Sequence, residues 1–353
     1  MALHDIIVVG ASAGGVEALV ELARGLPEDF PAAIFVVLHI PANSTSILSK
    51  ILDRAGPLPA APANDYEAIK PGRIYVAQSD CHLLVKRDHV RLTRGPKENS
   101  RRPAIDPLFR TAARYYGRRV IGVVLSGTLD DGTAGLLSIK SRGGVAVVQD
   151  PDDALYSSMP RSALENVEVD YCLPVKDIPS LLVRLANEQV EEEGEFPVSE
   201  EMEQETDIAE WDLATMKEQS RPGDPSRYTC PECHGVLFEM DEAGLLRFRC
   251  RVGHAYSAET LMSEQSLSLE AALWAALRSL EENVALTQRM AERMRERGNR
   301  RSAERFDEQA EELQARVSVI RKALIKQEVT VRDQSIERGD ASAGEVVQQS
   351  TSD

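Results

Sequence analysis

At 353 residues, with 42% hydrophobic and 28% charged side chains, the chain is long enough for a well-buried domain plus a smaller module. The net charge of -16 arises entirely after residue 187, because residues 1–187 hold 21 acidic and 21 basic side chains, and this balance argues against a nucleic-acid partner. No basic start followed by an apolar core and a cleavage site opens the sequence, and no apolar run is long enough to span a bilayer, so a cytoplasmic protein without direct membrane insertion is expected.

The first apolar run, Ile6-Ile7-Val8-Val9, reads as a buried strand leading into Gly10-Ala11-Ser12-Ala13-Gly14-Gly15, and a helix is expected to start at Gly15. Small residues permit a sharp strand-to-helix turn with a serine at its tip, and amides that open the helix face any developing negative charge. Three readings compete. The turn closes an ordinary α/β unit; it is a dinucleotide fingerprint, with Ser12 in the place of the second glycine that approaches a pyrophosphate; or it is a G-x-S-x-G nucleophile elbow, which fits without mismatch. In α/β-hydrolases that elbow follows several strands and the triad runs Ser, Asp, His, so a hydrolase here has another chain order.

A serine hydroxyl needs a histidine to take its proton and a carboxylate to orient that histidine. The run Ile34-Phe35-Val36-Val37-Leu38 stops at His39-Ile40-Pro41, which puts His39 at the carboxyl edge of a second buried strand. A later run over 120–125 ends in Ser126-Gly127-Thr128-Leu129-Asp130-Asp131-Gly132, offering two carboxylates at the same kind of edge, where open parallel sheets bind ligands. His4, His82, His89 and His234 lack such placement.

These residues resemble the chemotaxis protein-glutamate methylesterases, the CheB family, across roughly residues 5–187. The resemblance is colinear through the serine turn, His39-Ile40-Pro41, Pro71-Gly72-Arg73-Ile74-Tyr75-Val76-Ala77, Arg102-Pro103-Ala104-Ile105-Asp106-Pro107-Leu108-Phe109, the 126–132 loop and Met159-Pro160-Arg161. It implies a doubly wound, mainly parallel α/β fold over 1–187. It also implies a triad with Ser12 as nucleophile, His39 as base and acid, and Asp131, which directly precedes the loop glycine, as the orienting carboxylate. Asp130 is then expected to cap a helix or face solvent. The implied activity is hydrolysis of glutamate methyl esters on chemoreceptors, with glutamine deamidation as a second reaction and no catalytic cofactor. Amides of residues 13–15, or one near Thr128, are the expected oxyanion donors, each worth about 3 kcal/mol in the transition state. Ala13, Thr128 and Leu129 depart from the enterobacterial pattern of Thr after the serine and a Met-Gly pair in the loop. The family's usual receiver domain is not expected here, since the first catalytic strand starts at Asp5.

After the balanced domain, residues 188–227 read as an acidic linker: 188–220 carry 13 acids against Lys217, with few apolar side chains. A solvated tether is the simpler reading, and Trp211 keeps a partner-docking motif open. In the segment 228–256, Cys230-Pro231-Glu232-Cys233 and, sixteen residues on, Cys250-Arg251-Val252-Gly253-His254 have the spacing of a tetrahedral structural zinc ribbon. Cys81 and Cys172 stand apart from this group. Arg247, Arg249 and Arg251 form a local basic patch, but without a series of stacking aromatics, so nucleic acid remains disfavoured.

Over 257–330 two helical stretches meet at Gly298-Asn299, with Leu273, Leu277, Leu280 and Val284 on one and Phe306, Ala310, Leu313, Val317, Ile320 and Leu324 on the other. The seam predicts a helical hairpin or a dimeric coiled coil. A polar, disordered tail is expected over 331–353. The leading expectation is an esterase whose accessory module recruits it to a methylated chemoreceptor or other signalling protein. A non-catalytic signalling scaffold, and an esterase acting on a different protein, are the alternatives.

Overall fold

Three strands, Ile6–Ala11, Ala33–Leu38 and Val120–Val124, are buried at every position. Burial on both faces demands a parallel sheet covered by helices on either side, and the structure, a computed structural model that describes residues 2–43, 46–190, 196–210, 223–242 and 244–337, contains one. Among the described residues its seven strands run in the order Tyr171–Leu173, Val145–Gln149, Val120–Val124, Ile6–Ala11, Ala33–Leu38, Arg73–Val76 and Ala60–Pro62, and every pair is parallel.

Alternate side chains of each strand enter different cores. Ile7, Val9, Ile34 and Val36 pack with helices Gly15–Arg24, Leu48–Ala55 and Ile178–Ala186. Ile6, Val8, Phe35 and Val37 pack with helices Ile105–Tyr116, Thr133–Ser141 and Ser158–Asn166. This is the expected doubly wound α/β fold. Strand Ile6–Ala11 lies between Ala33–Leu38 and Val120–Val124, so the chain order reverses around it and a crevice opens at its carboxyl end.

The chain divides into two compact units, Met1–Leu261 and Met262–Asp353. The first includes more than the sequence reading assigned to the catalytic domain. Part of the expected acidic tether, Glu200–Glu210, is a helix that buries Met202, Glu205, Thr206, Ile208 and Ala209. Its acidic composition conceals a face with helical spacing, and the acid on that face is paired with arginines. Trp211 lies outside the described residues. The ribbon is a four-stranded antiparallel sheet, Asp224–Thr229, Val236–Glu242, Leu245–Cys250 and Ala255–Ser257. Its last strand also pairs with the loop before helix Ile105–Tyr116: the Asn99 amide donates to the Ala255 carbonyl at 2.8 Å and the Ala255 amide to that of Lys97 at 3.2 Å.

Of the three arginines of the expected basic patch, only Arg251 is exposed. Arg247 and Arg249 are 2% and 1% exposed, and with Arg110 they surround two buried carboxylates. Arg110 meets Glu98 at 2.6 Å and Glu205 at 3.0 Å, Arg247 meets Glu205 at 2.8 Å, and Arg249 meets Glu205 at 2.9 Å. In the second unit, helices Ala258–Glu296, which begins in the first unit, and Arg300–Glu337 bury Leu277, Val284, Val317 and Leu324 against one another, with Leu273, Leu280, Leu313 and Ile320 alongside. Within the chain the two helices thus form a hairpin. The second helix continues to Glu337, through the start of the expected tail; residues 338–353 lie outside the described residues.

Candidate active site

Ser12, His39 and Asp131 follow three adjacent strands, and the structure brings all three together. The Ser12 amide donates to the Ser126 carbonyl at 2.9 Å, which ties the serine turn to the neighbouring strand end. Gly14 sits at φ 68°, a conformation that glycine adopts without cost, and helix Gly15–Arg24 starts immediately after it. The His39 amide donates to the Ala11 carbonyl at 3.2 Å, continuing the strand pairing as far as the imidazole.

His39 Nδ1 lies 3.1 Å from Ser12 Oγ, and Nε2 lies 2.7 Å from Asp131 Oδ2. A carboxylate only accepts, so Nε2 carries the ring proton of neutral His39 and the Nδ1 lone pair faces the serine hydroxyl. That tautomer suits a general base. Asp131 is buried, which on its own would raise its pKa. Hydrogen bonds from His39, from the Ile105 amide and from Asn99 reverse this and hold it well below the usual carboxylate range. The Ile105 amide donates to Oδ2 at 2.7 Å, and Asn99 Nδ2 to Oδ1 at 3.0 Å. Asp131 thus stays ionised against an imidazolium.

Asp130, expected as a cap or a solvated residue, is buried at 5% exposure. Its Oδ1 accepts the Ser257 hydroxyl at 2.7 Å and the Thr260 hydroxyl at 3.0 Å. Burial pushes its pKa up to about 6 against those hydrogen bonds. The cap of helix Thr133–Ser141 is Gly132, not Asp130.

Of the expected oxyanion donors, the Gly15 amide is engaged by the Ser12 carbonyl at 3.0 Å, which narrows the set to residues 13, 14 and 128. Gly127 closes the wall beside the serine. A Cβ there would stand 2.0 Å from Met159 Sδ and 2.8 Å from Ser12 Cβ. Sequence reasoning missed Ser126, whose carbonyl receives the Ser12 amide and whose hydroxyl donates to the Ala13 carbonyl at 2.8 Å. It also missed Asn99, because an isolated asparagine in a polar loop carries no periodic signal.

Away from this crevice, the ligand atoms of Cys230, Cys233, Cys250 and His254 all lie within 4.8 Å of one another. Cys233 and Cys250 sulfurs are 3.6 Å apart, and His254 Nδ1 is 3.7 Å from Cys230 and 3.6 Å from Cys250. These separations are too long for a disulfide. They match the edge of about 3.8 Å expected for a tetrahedron with zinc–sulfur bonds of ~2.3 Å. The donor set and spacing fit a structural zinc. No described helix is long and apolar enough to cross a membrane.

Comparison with known proteins places the chain in a family. Residues 7–182 match the model for CheB methylesterase. A protein of Leptospira interrogans (serovar copenhageni) named "Putative protein-glutamate methylesterase/protein-glutamine glutaminase" is 40% identical over 190 residues, which cover 54% of this chain and 98% of that protein. The protein-glutamate methylesterase/protein-glutamine glutaminase of Pyrococcus abyssi is 35% identical over 182 residues, half of each chain. The crystal structure of the Thermotoga maritima CheB methylesterase catalytic domain is matched over its whole length and 52% of this chain, with 36% identity and a TM-score of 0.50. The α/β portion spans only about half of the Pyrococcus relative and nearly all of the Leptospira one. On the sequence match and the shared fold, the chain belongs to the CheB methylesterase family.

Proposed function

We propose that the protein is a serine hydrolase that removes methyl esters from glutamate side chains of a chemoreceptor or another methylated signalling protein. The observation that carries this reading is the hydrogen-bonded line from Ser12 Oγ through His39 to Asp131 at the carboxyl edge of the sheet. The names of the relatives support the choice of substrate class.

In the first step Ser12 Oγ attacks the ester carbonyl while His39 Nδ1 takes the hydroxyl proton, and Asp131 stabilises the imidazolium across Nε2–H. Collapse of the tetrahedral intermediate breaks the bond to the methoxy oxygen, which leaves as methanol with the proton from Nδ1. Water, deprotonated by the same nitrogen, then attacks the acyl-serine, releases the glutamate carboxylate and restores the hydroxyl. A glutamine side chain enters the same acyl-enzyme with ammonia as leaving group, so one site serves both reactions.

Cys230, Cys233, Cys250 and His254 would hold one zinc ion. Four protein ligands leave no open position for water, so the metal's contribution is to cross-link the ribbon turns. The Tyr256 hydroxyl, 3.5 Å from Cys230 Sγ, would steady that thiolate.

Methanol release from a methylated chemoreceptor fragment, compared between the intact protein and Ser12→Ala at matched folding, tests the reading. Release by the wild type that vanishes in the variant is expected. Equal release by both would overturn the role of Ser12, and release by neither would move the substrate to another ester or the protein to a binding role.

A further inference from the structure

The ribbon reaches the candidate reaction centre through hydrogen bonds. Asn99, 6% exposed, stands between the two. Its side-chain nitrogen donates to Asp131 Oδ1 and to Asp106 Oδ2, each at 3.0 Å, and its side-chain oxygen accepts the Ser257 amide at 2.9 Å. Accepting from Ser257 fixes which end of the Asn99 amide is the donor end, and therefore turns that end toward the two carboxylates. Asn99 also sits at φ 49°, in the left-handed region that asparagine tolerates better than most residues, and its amide is tied to Ala255. The neighbouring Asp130 is held by the Ser257 hydroxyl from the same strand end and by the Thr260 hydroxyl from the first turn of the helix that follows. Successive acidic residues of one loop are thus gripped from the ribbon.

We propose that the ribbon's last strand and the residues just beyond it position the catalytic carboxylate: Asn99, aimed by Ser257, holds Asp131 Oδ1, and Ser257 with Thr260 fixes the loop through Asp130. The inference rests on the hydrolase reading above for its catalytic meaning, and the experiment separates the two. Carboxylate placement controls the His39 tautomer and its alignment with Ser12, where a displacement of about 1 Å costs about 100-fold in rate.

In the full chain, two readouts are taken on wild type, Asn99→Gly, Ser257→Ala, Ser257→Thr and Thr260→Val. One is the rate of covalent labelling of Ser12 by a fluorophosphonate, which needs an activated serine but no natural substrate. The other is the downfield proton resonance of the His39 Nε2–H, which reports its bond to Asp131 directly. Asn99→Gly, which keeps the backbone conformation, is expected to slow labelling by about 10- to 100-fold and to shift or broaden the resonance. Ser257→Ala and Thr260→Val should act in the same direction to a smaller extent, with Ser257→Thr restoring the wild-type values. A purely structural role predicts a lower melting temperature with labelling and resonance unchanged, and that result in the folded variants overturns the proposal. If Asn99→Gly does not fold, the Ser257 and Thr260 variants decide by the same criteria. A wild type that is not labelled sinks the hydrolase reading alone, since the resonance still tests the positioning.

Discussion

Asp131 and Asp106 cap each other's helices. Asp131, just before helix Thr133–Ser141, accepts the Ile105 and Asp106 amides that open helix Ile105–Tyr116, at 2.7 and 3.3 Å. Asp106, in the first turn of that helix, accepts the Gly132 and Gly135 amides that open the other, at 3.0 and 2.7 Å. Neither helix has a side-chain cap from its own N-cap residue, Ala104 or Gly132. The exchange locks together the two helices that flank the carboxylate and gives Asp131 a structural task beside its proposed chemical one. Burial and the nearby Asp131 charge hold the Asp106 pKa well above the usual carboxylate range.

Replacing Asp131 by asparagine is expected to cost about 10⁴-fold in kcat. Both oxygens of Asp131 receive N–H groups, so the asparagine NH₂ faces a donor whichever way it turns. Toward His39 it moves the ring proton to Nδ1 and leaves no base beside Ser12; toward Asn99 it strands a buried donor. Steady-state ester hydrolysis and denaturant unfolding should therefore report a large rate loss and a destabilisation of about 1–3 kcal/mol.

Asp130 titrates near 6 in the fold because burial disfavours its charge. Its folded pKa lies above the unfolded value of about 3.9, so the native state binds more protons between pH 4 and 6 and this residue's contribution weakens as pH rises through that window. The loss approaches about 3 kcal/mol at pH 7. Asp130→Asn should accordingly gain stability relative to wild type as unfolding is measured from pH 4 to pH 7. A stability difference that stays flat over that range would show that Asp130 is not the titrating group.

Glu205 faces Arg110, Arg247 and Arg249 with no water-exposed alternative, and despite burial those guanidinium groups hold its pKa well below the usual range. Glu205→Ala leaves buried cations short of their partner and is expected to destabilise the first unit by about 3–5 kcal/mol in urea. Glu203→Ala, at an exposed position of the same helix, should stay within about 0.5 kcal/mol of wild type.

A methyl group at Gly127 would have to displace the Met159 sulfur or the Ser12 side chain. Overpacking of this kind costs about 1–3 kcal/mol. Gly127→Ala is therefore expected to lower the unfolding midpoint and, because one of the two crowded groups is the proposed nucleophile Ser12, to reduce kcat more than it raises KM.

Zinc stoichiometry checks the ribbon. One equivalent per chain is expected by elemental analysis of the purified protein, falling sharply in Cys250→Ser, whereas Cys172→Ser, which alters an exposed thiol far along the sequence, should leave it unchanged.

Much of this was legible because strand ends are written in composition. Apolar runs that give way to the Ser12 turn, to His39 and to the 126–132 loop announce the edge of a parallel sheet, and a leucine seam announces the hairpin. The errors in the first unit share one cause, which is burial of charge. Asp130, Glu205, Arg247 and Arg249 are residue types normally found in water, and each is buried only because a partner distant in sequence neutralises or hydrogen-bonds it. Asn99 and Ser257 are 158 residues apart; no local pattern links them.

The shared ionic core has a consequence for how this family's domain can be handled here. The match to the family model ends at residue 182, yet Glu98 and Arg110 inside it depend on Glu205, Arg247 and Arg249 outside it. A fragment cut where similarity stops would expose a half-empty charged socket next to the loop that carries Asn99. For this chain the smallest transferable piece is set by electrostatic closure, and the end of the family-model match would place the scissors some eighty residues too early.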